Sequence, residues 1–229
     1  MMKFRIIMLS ILAVSMLIVS CASGTDITKK NEDGSPIWTT EIPKSSKLLY
    51  GVGKAKLSNT TNSQDASYAN ASSDLAKKIS VRIDEATSVY SQDAESSTKD
   101  AYESIKIASV SLTLKGVVTE DRWTESDGTV WTLVSVKVKN LPQMYEDSSR
   151  GFINVKNDEI EDIQKKLDAL IAQLGDAQDA ESLSLKSAAE KKASDLESEI
   201  SHTLSSIKCD EVRDAIKDAL IADGYTLDD

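Results

Sequence analysis

One histidine and two cysteines are all this chain offers to chemistry that needs imidazole or thiolate. The histidine, His202, stands between Ser201 and Thr203 with no second imidazole or cysteine at ligand spacing. That excludes the clustered donors of a zinc site and leaves a Ser-His-Asp triad without support, so His202 reads as a solvated helix residue. Glycine is scarce, and where it concentrates, at Gly51-Val52-Gly53-Lys54, the pattern fails as a phosphate loop. A dinucleotide fingerprint needs a third glycine where Lys56 stands, and a Walker loop needs an earlier glycine and a hydroxyl after its lysine. The acidic pairs Asp158-Glu159 and Glu161-Asp162 lack the Gly-centred alternation of a calcium loop, and they suit the positive end of a helix instead. Positive charge is also short. The net charge is −10, which argues against nucleic acid as a partner. No catalytic residue set, cofactor site, metal site or small-molecule substrate is expected.

Only one long apolar run is present, and it comes first. Lys3 and Arg5 precede Ile6 to Val19, which is broken only by Ser10 and Ser15 and followed by Ser20-Cys21-Ala22-Ser23-Gly24. The run is short for a permanent membrane span and has the layout of a secretory signal. Ile18-Val19-Ser20-Cys21 resembles a lipobox, although Ile18 stands where leucine is usual. That resemblance implies cleavage before Cys21 and a covalent diacylglycerol and N-acyl lipid on its thiol and amine. Two or more acyl chains give stable membrane attachment, since each buried methylene contributes about 0.8 kcal/mol. With Cys21 acylated, Cys209 is left alone, and no intrachain disulfide can form. Residues 155–229 hold 19 acidic and 9 basic side chains, so the negative charge lies almost wholly at the C-terminal end.

The remaining chain divides by composition. Residues 1–20 read as signal peptide and 21–36 as a lipidated flexible tether, with a stretched reach on the order of 50 Å. Residues 37–141 read as an α+β domain, 142–154 as a linker, and 155–229 as an acidic helical tail. Within the domain, Leu48 to Gly53 predicts a strand. Ser63 or Asp65 could cap a slim alanine-rich helix through Ala66, Ala69, Leu75 and Ile79. Ile79, Val81 and Ile83 alternate with polar residues and predict a second strand. A polar helix is expected over about Glu95–Ala108. A hairpin follows, with strands at Val110–Glu125 and Thr129–Lys139, a type I′ turn at Asp127-Gly128, and a bulge at Gly116. The tail predicts two or three amphipathic helices. Ile160 to Leu174 ends at Gly175, Leu183 to Ile207 forms a second stripe, and Val212, Ile216 and Leu220 form a third, capped by Asp210 and stopped at Gly224. The fold class expected is α+β, a β-α-β-(α)-β-β domain with an amphipathic helical tail. Two N-x-S/T sequons, at Asn59 and Asn70, carry no meaning in a bacterial lipoprotein.

Trp38, Pro43, Tyr50-Gly51-Val52-Gly53 and Ala55 come before the alanine-rich helix and Leu75 to Val81. Gly116-Val117-Val118, Trp123, Asp127-Gly128 and Trp131 to Val134 close the region. This order resembles the LPP-twenty lipoprotein family over about residues 36–141. These are outer-membrane lipoproteins with flagellum-associated relatives. The resemblance implies an envelope lipoprotein without an active site to transfer, and the helical tail lies outside it. Ala22-Ser23 lacks the aspartate that holds some lipoproteins at the inner membrane, so the outer membrane is the expected location.

Two roles follow. The first is a structural or interaction lipoprotein that meets an envelope protein partner or self-associates through the tail. The alternative is a module for peptidoglycan or another envelope glycan. Trp38, Tyr50, Trp123 and Trp131 are the candidate partner-binding residues, since aromatics with a polar handle serve both a core and a contact surface.

Overall fold

The computed structural model describes residues 26–175 and 179–228. Cys21 and the signal segment lie outside the described residues. Among the described residues the architecture is α+β: a three-stranded antiparallel sheet and five α-helices, with a main core cluster built between one face of the sheet and the helices. The strands are β1 (Leu48–Ala55), β2 (Val118–Thr124) and β3 (Val130–Lys137), ordered β1-β3-β2. The helices are α1 (Thr60–Ser91), α2 (Ser96–Leu114), α3 (Leu141–Leu174), α4 (Ala180–Ser206) and α5 (Cys209–Ala222).

α1, at 32 residues, is about twice as long as expected, and no strand forms at 79–83. Ala71, Leu75, Ile79 and Ile83 recur every fourth residue and are all fully buried, while Val81 is 53% exposed. A spacing of four is one helical face, and the apparent alternation arose because Val81 falls midway between two members of that stripe. The cap is Asn59 rather than Ser63 or Asp65. Its side chain accepts from the Asn62 N–H at 2.8 Å, satisfying one of the donors a helix leaves free at its start.

α1 lies against β1 closer than side chains would allow. A Cβ built on Gly53 would stand 2.1 Å from the Ala71 nitrogen and 2.3 Å from the Ser67 carbonyl oxygen; one on Gly51 would stand 2.4 Å from the Ala71 carbonyl oxygen. The two glycines therefore serve backbone approach, with Ala71 and Ser67 small on the facing side. Ser67 and Thr132 hydroxyls meet at 2.7 Å in the buried seam, which seats the helix over β3 as well.

The hairpin is present, but its turn differs from the expected one. Type I′ would need positive φ at Asp127, and only Gly128 has it, at +88°. The Gly128 N–H bonds the Glu125 carbonyl at 3.0 Å, and the Glu125 N–H bonds the Thr129 carbonyl at 2.8 Å. This is the longer loop in which glycine supplies a left-handed residue after the turn. The bulge sits at Glu120, between Thr119 and Asp121, not at Gly116. Residues 110–114 belong to α2, so β2 begins later than expected.

Asp127 accepts from the Thr129 N–H at 2.9 Å and from Lys56 Nζ at 3.1 Å. The Thr129 backbone and hydroxyl, then Lys56, hold its carboxyl down at about 2. A group depressed on folding contributes stability above its unfolded value near 3.8 and loses it as pH falls through 2. Titrating the carboxyl carbons by NMR should therefore find Asp127 among the last to protonate; a midpoint near 4 would mean the turn is not held this way.

Two further expectations are corrected at the ends of the α+β region. Of the tether expected at 21–36, residues 26–36 fold back on themselves. Lys30 bridges Pro36, the Asn31 N–H bonds the Ser35 carbonyl at 2.8 Å, and Ser35 is buried. The linker expected at 142–154 is helical throughout. Pro142 sits in the first turn of α3, where its missing N–H costs nothing. The stops at Gly175 and Gly224 fall where the sequence placed them, though Asp210 lies inside the first turn of α5 and Lys208 precedes it.

α5 completes the core. Val212, Ile216 and Leu220 are essentially inaccessible and belong to the same cluster as Leu49, Leu75 and Ile79. The Tyr102 hydroxyl ties α2 to the α4–α5 junction, donating to the Ser206 carbonyl and accepting from the Lys208 N–H at 3.1 Å. Glu146 of α3 accepts from Arg213 of α5 at 3.0 Å, and the Thr226 N–H reaches the Ser46 carbonyl at 2.6 Å. α4 packs chiefly on α3, so the molecule is layered from sheet to α1, then α2 with α5, then α3 and α4.

Candidate functional site

Strand register brings the candidate aromatic residues together. Partners in an antiparallel pair point to the same side. Tyr50 opposes Ser135, Lys54 opposes Trp131, and Trp131 opposes Trp123, all on the sheet face away from α1. Trp38 joins them from the turn at Ile37–Thr39. Its Nε1 donates to Asp121 Oδ2 at 2.9 Å, and Asp121 opposes Leu133 on that same face. All four candidates thus share one surface of the sheet.

Their surroundings separate core from surface roles. Trp38 is 1% exposed and Leu133 is inaccessible, so Trp38 with the folded segment 26–40 covers the middle of this face. Trp123 and Trp131 are half-buried. The Trp131 ring carries Lys54 Nζ at 4.8 Å from its centroid, and its Nε1 donates to Glu125 at 2.6 Å. A cation over a ring face is an attractive contact in its own right. Tyr50 is half-buried at the edge of the face; burial and the nearby Glu120 carboxylate push its hydroxyl up, and Ser45 works against them. Replacing Trp38 by Phe keeps most of the ring but deletes a bond to a carboxylate. The expected loss is about 2 kcal/mol, read from urea denaturation; no loss would mean the Asp121 contact is idle.

Sequence reasoning missed a device on the open side of β1. An edge strand exposes unpaired backbone groups. Here α1 reaches over to occupy them. Asn70 Nδ2 donates to the Lys54 carbonyl at 2.9 Å, the Val52 N–H donates to Asp74 at 3.1 Å, and Lys78 Nζ donates to the Tyr50 carbonyl at 2.8 Å. Asn70, Asp74 and Lys78 are four apart, and that spacing of polar residues beside an alanine stripe was the available signal.

The end of the α3–α4 pair is different in character. Among the described residues of 150–192, none is buried. Ile160, Ile163, Leu167, Ile171 and Leu174 are half-buried, while the covered positions in the first half of α4 are Ser182, Lys186, Ala189 and Ala193. Leu170 is 37% exposed, Leu183 48% and Leu185 55%. Three of the four acidic residues singled out as cation candidates are engaged along α3: Glu159 with Lys156, Glu161 with Lys165, and Asp162 with Lys166. His202 is exposed, with Nδ1 at 3.8 Å from Glu95. Cys209 is a half-buried free thiol at the start of α5, pushed up by its burial. Among the described residues, no helix is long and apolar enough to cross a membrane, and no group of three His, Cys, Asp or Glu side chains is placed to hold a metal.

Residues 36–137 match the model of the LPP20 lipoprotein, the LPP-twenty family. The secreted protein HP1454 of Helicobacter pylori, known from a crystal structure, is similar at 14% identity with a TM-score of 0.26. The similarity covers 69% of this chain and 53% of that one, so this chain spans about half of HP1454. No curated protein matches the chain. The matched residues run from the cap of the Trp38 turn through the Gly51 and Gly53 contact to the end of β3, and all of α3, α4 and α5 lies beyond them. Over residues 36–137, a little under half of its length, the chain is similar to the LPP20 lipoprotein family.

Proposed function

We propose that this lipoprotein is a structural or interaction component of the envelope, anchored by acyl chains on Cys21 and without catalytic activity. The observation that carries the reading is the α3–α4 arm. Its apolar stripe is only half-buried, the covered positions in the first half of the neighbouring α4 are small or polar, and Leu170, Leu183 and Leu185 are left on the surface. An amphipathic pair with thin internal cover gains by burying its stripe on another surface. That surface is an envelope protein or a second copy of the chain, in an outer-membrane or flagellum-associated assembly. A photocrosslinker placed at Leu183 or Leu185 in intact cells should trap a discrete envelope partner or a dimer. Absence of any crosslink from the arm, with the protein present at its normal level, would remove the reading.

The shared face of Tyr50, Trp123 and Trp131 favours the second reading, a module for peptidoglycan or another envelope glycan. Lys54 over the Trp131 ring weighs against sugar stacking there. Co-sedimentation of the mature protein with isolated cell wall, lost on Trp131→Ala, would make it the better account.

A further inference from the structure

We propose that a groove beside β1 is a docking site for an acidic, partly apolar peptide segment of a partner protein. The groove, about 880 Å³, lies between residues 42–50, the outward side of α1 and the turn at Asp223–Tyr225. That volume is in the range of sites that hold ligands. Its charge opposes that of the molecule. Lys44, Lys77, Lys78 and Arg82 line it against two acids, Glu85 and Asp223, with Arg82 paired to Asp223 and Lys78 to Asp74 beside it, in a chain whose net charge is −10. Its floor is apolar where the fold has no need of it: Ile42 is 48% exposed and Val81 53%. Aromatic rings stand at both ends, Tyr50 on the sheet side and Tyr225 on the other, the latter stacked under the Arg82 guanidinium.

The backbone beside the groove settles how an occupant would be read. Addition of a peptide strand to β1 would need its free edge, and Asn70, Asp74 and Lys78 already occupy those groups. Recognition therefore falls to side chains: cations on the rim meet carboxylates, and Ile42 and Val81 meet aliphatic groups. A neutral or basic segment would gain nothing from the rim, and a purely polar one would leave the floor wet. Complementary charge across such a surface also speeds encounter and makes binding sensitive to salt.

This rests on the reading of the chain as an interaction protein but not on the α3–α4 arm. The test uses the full mature chain and a fluorescein-labelled peptide of about twelve residues that mixes glutamate with leucine. Fluorescence anisotropy should show saturable binding that weakens as sodium chloride is raised. Lys44→Glu with Lys77→Glu, both exposed positions, should weaken binding at least tenfold while circular dichroism stays unchanged. Lys165→Glu with Lys166→Glu changes net charge equally on the distant arm and should leave affinity as it was. The same peptide with lysine for glutamate should not bind. No binding of the acidic peptide, equal loss from both double variants, or binding only to vesicles containing phosphatidylglycerol would each overturn the assignment. Crosslinks from Leu183 would stand through any of these results, so failure of the groove and failure of the interaction role remain separable.

Discussion

Gly53→Ala should unfold this protein or bring it to the edge of unfolding. The added methyl would stand 2.1 Å and 2.3 Å from backbone atoms of Ala71 and Ser67, and backbone cannot swing aside as a side chain can. To admit it, α1 must lift from β1, and the α1 stripe of Leu75, Ile79 and Ile83 would lift from the sheet as well. Overpacking a core usually costs about 1–3 kcal/mol and sometimes more. Here the collision is with main chain at two points, so the expected loss is about 3 kcal/mol or above. Domains have about 5–15 kcal/mol in total. Thermal unfolding followed by circular dichroism checks it, with Gly34→Ala as a counterpart at a glycine whose Cβ meets nothing. That position has φ +82°, so a modest strain is expected there from backbone conformation alone. A Gly53→Ala protein with native stability would show that the helix does not lie on the strand this closely.

Ile216→Ala is expected to cost about 2–5 kcal/mol, the range for emptying a fully buried aliphatic site. Ile216 is inaccessible and shares its cluster with residues of β1, α1 and α2. Leu167→Ala removes a side chain of similar size from the half-buried arm and should cost much less, about 1 kcal/mol. The contrast separates two parts of what composition presents as one acidic tail. Truncation at Asn154 makes the same point more severely. It would strip α5 from the core and expose the side of α1 and α3 that α5 covers, and the remaining chain should be molten or aggregated. Equal losses at Ile216 and Leu167, or a stable chain ending at Asn154, would mean α5 is an appendage. Self-association is for the same reason better probed by Leu183→Lys and Leu185→Lys than by removing helices.

Much of this arrangement was legible in the residues. Val130, Thr132, Val134 and Val136 alternate on one face and made β3 readable, and Asp127-Gly128 marked a turn. The stripe of Ile160, Ile163, Leu167 and Ile171 marked the helix, with Gly175 ending it. The errors came where one pattern serves two periods. Ile79, Val81 and Ile83 fit a strand by twos, yet Ile79 and Ile83 fit a helix by fours, and three residues cannot decide between them. Extending the count back to Ala71 and Leu75 would have decided it. The turn type depended on which residue takes positive φ, a matter of how the flanking strands twist and bulge. The linker expected at 142–154 proved helical because a proline such as Pro142, which breaks a helix from within, is at home in a first turn.

By itself the sequence determined that an apolar leader ends at a cysteine, that negative charge gathers at the C-terminal end, and which short-range patterns make strands, turns and helices. Those are properties of neighbours along the chain. Only the tertiary structure decided that Gly51 and Gly53 are there to let a helix touch a strand, that Trp38 is tied to Asp121, that α5 belongs to the core while the α3–α4 arm does not, and that Lys44, Lys77 and Arg82 share one groove. Each of those joins residues tens or hundreds of positions apart. Which apolar face covers which is settled by packing all of them at once, and no local count of residues contains that information.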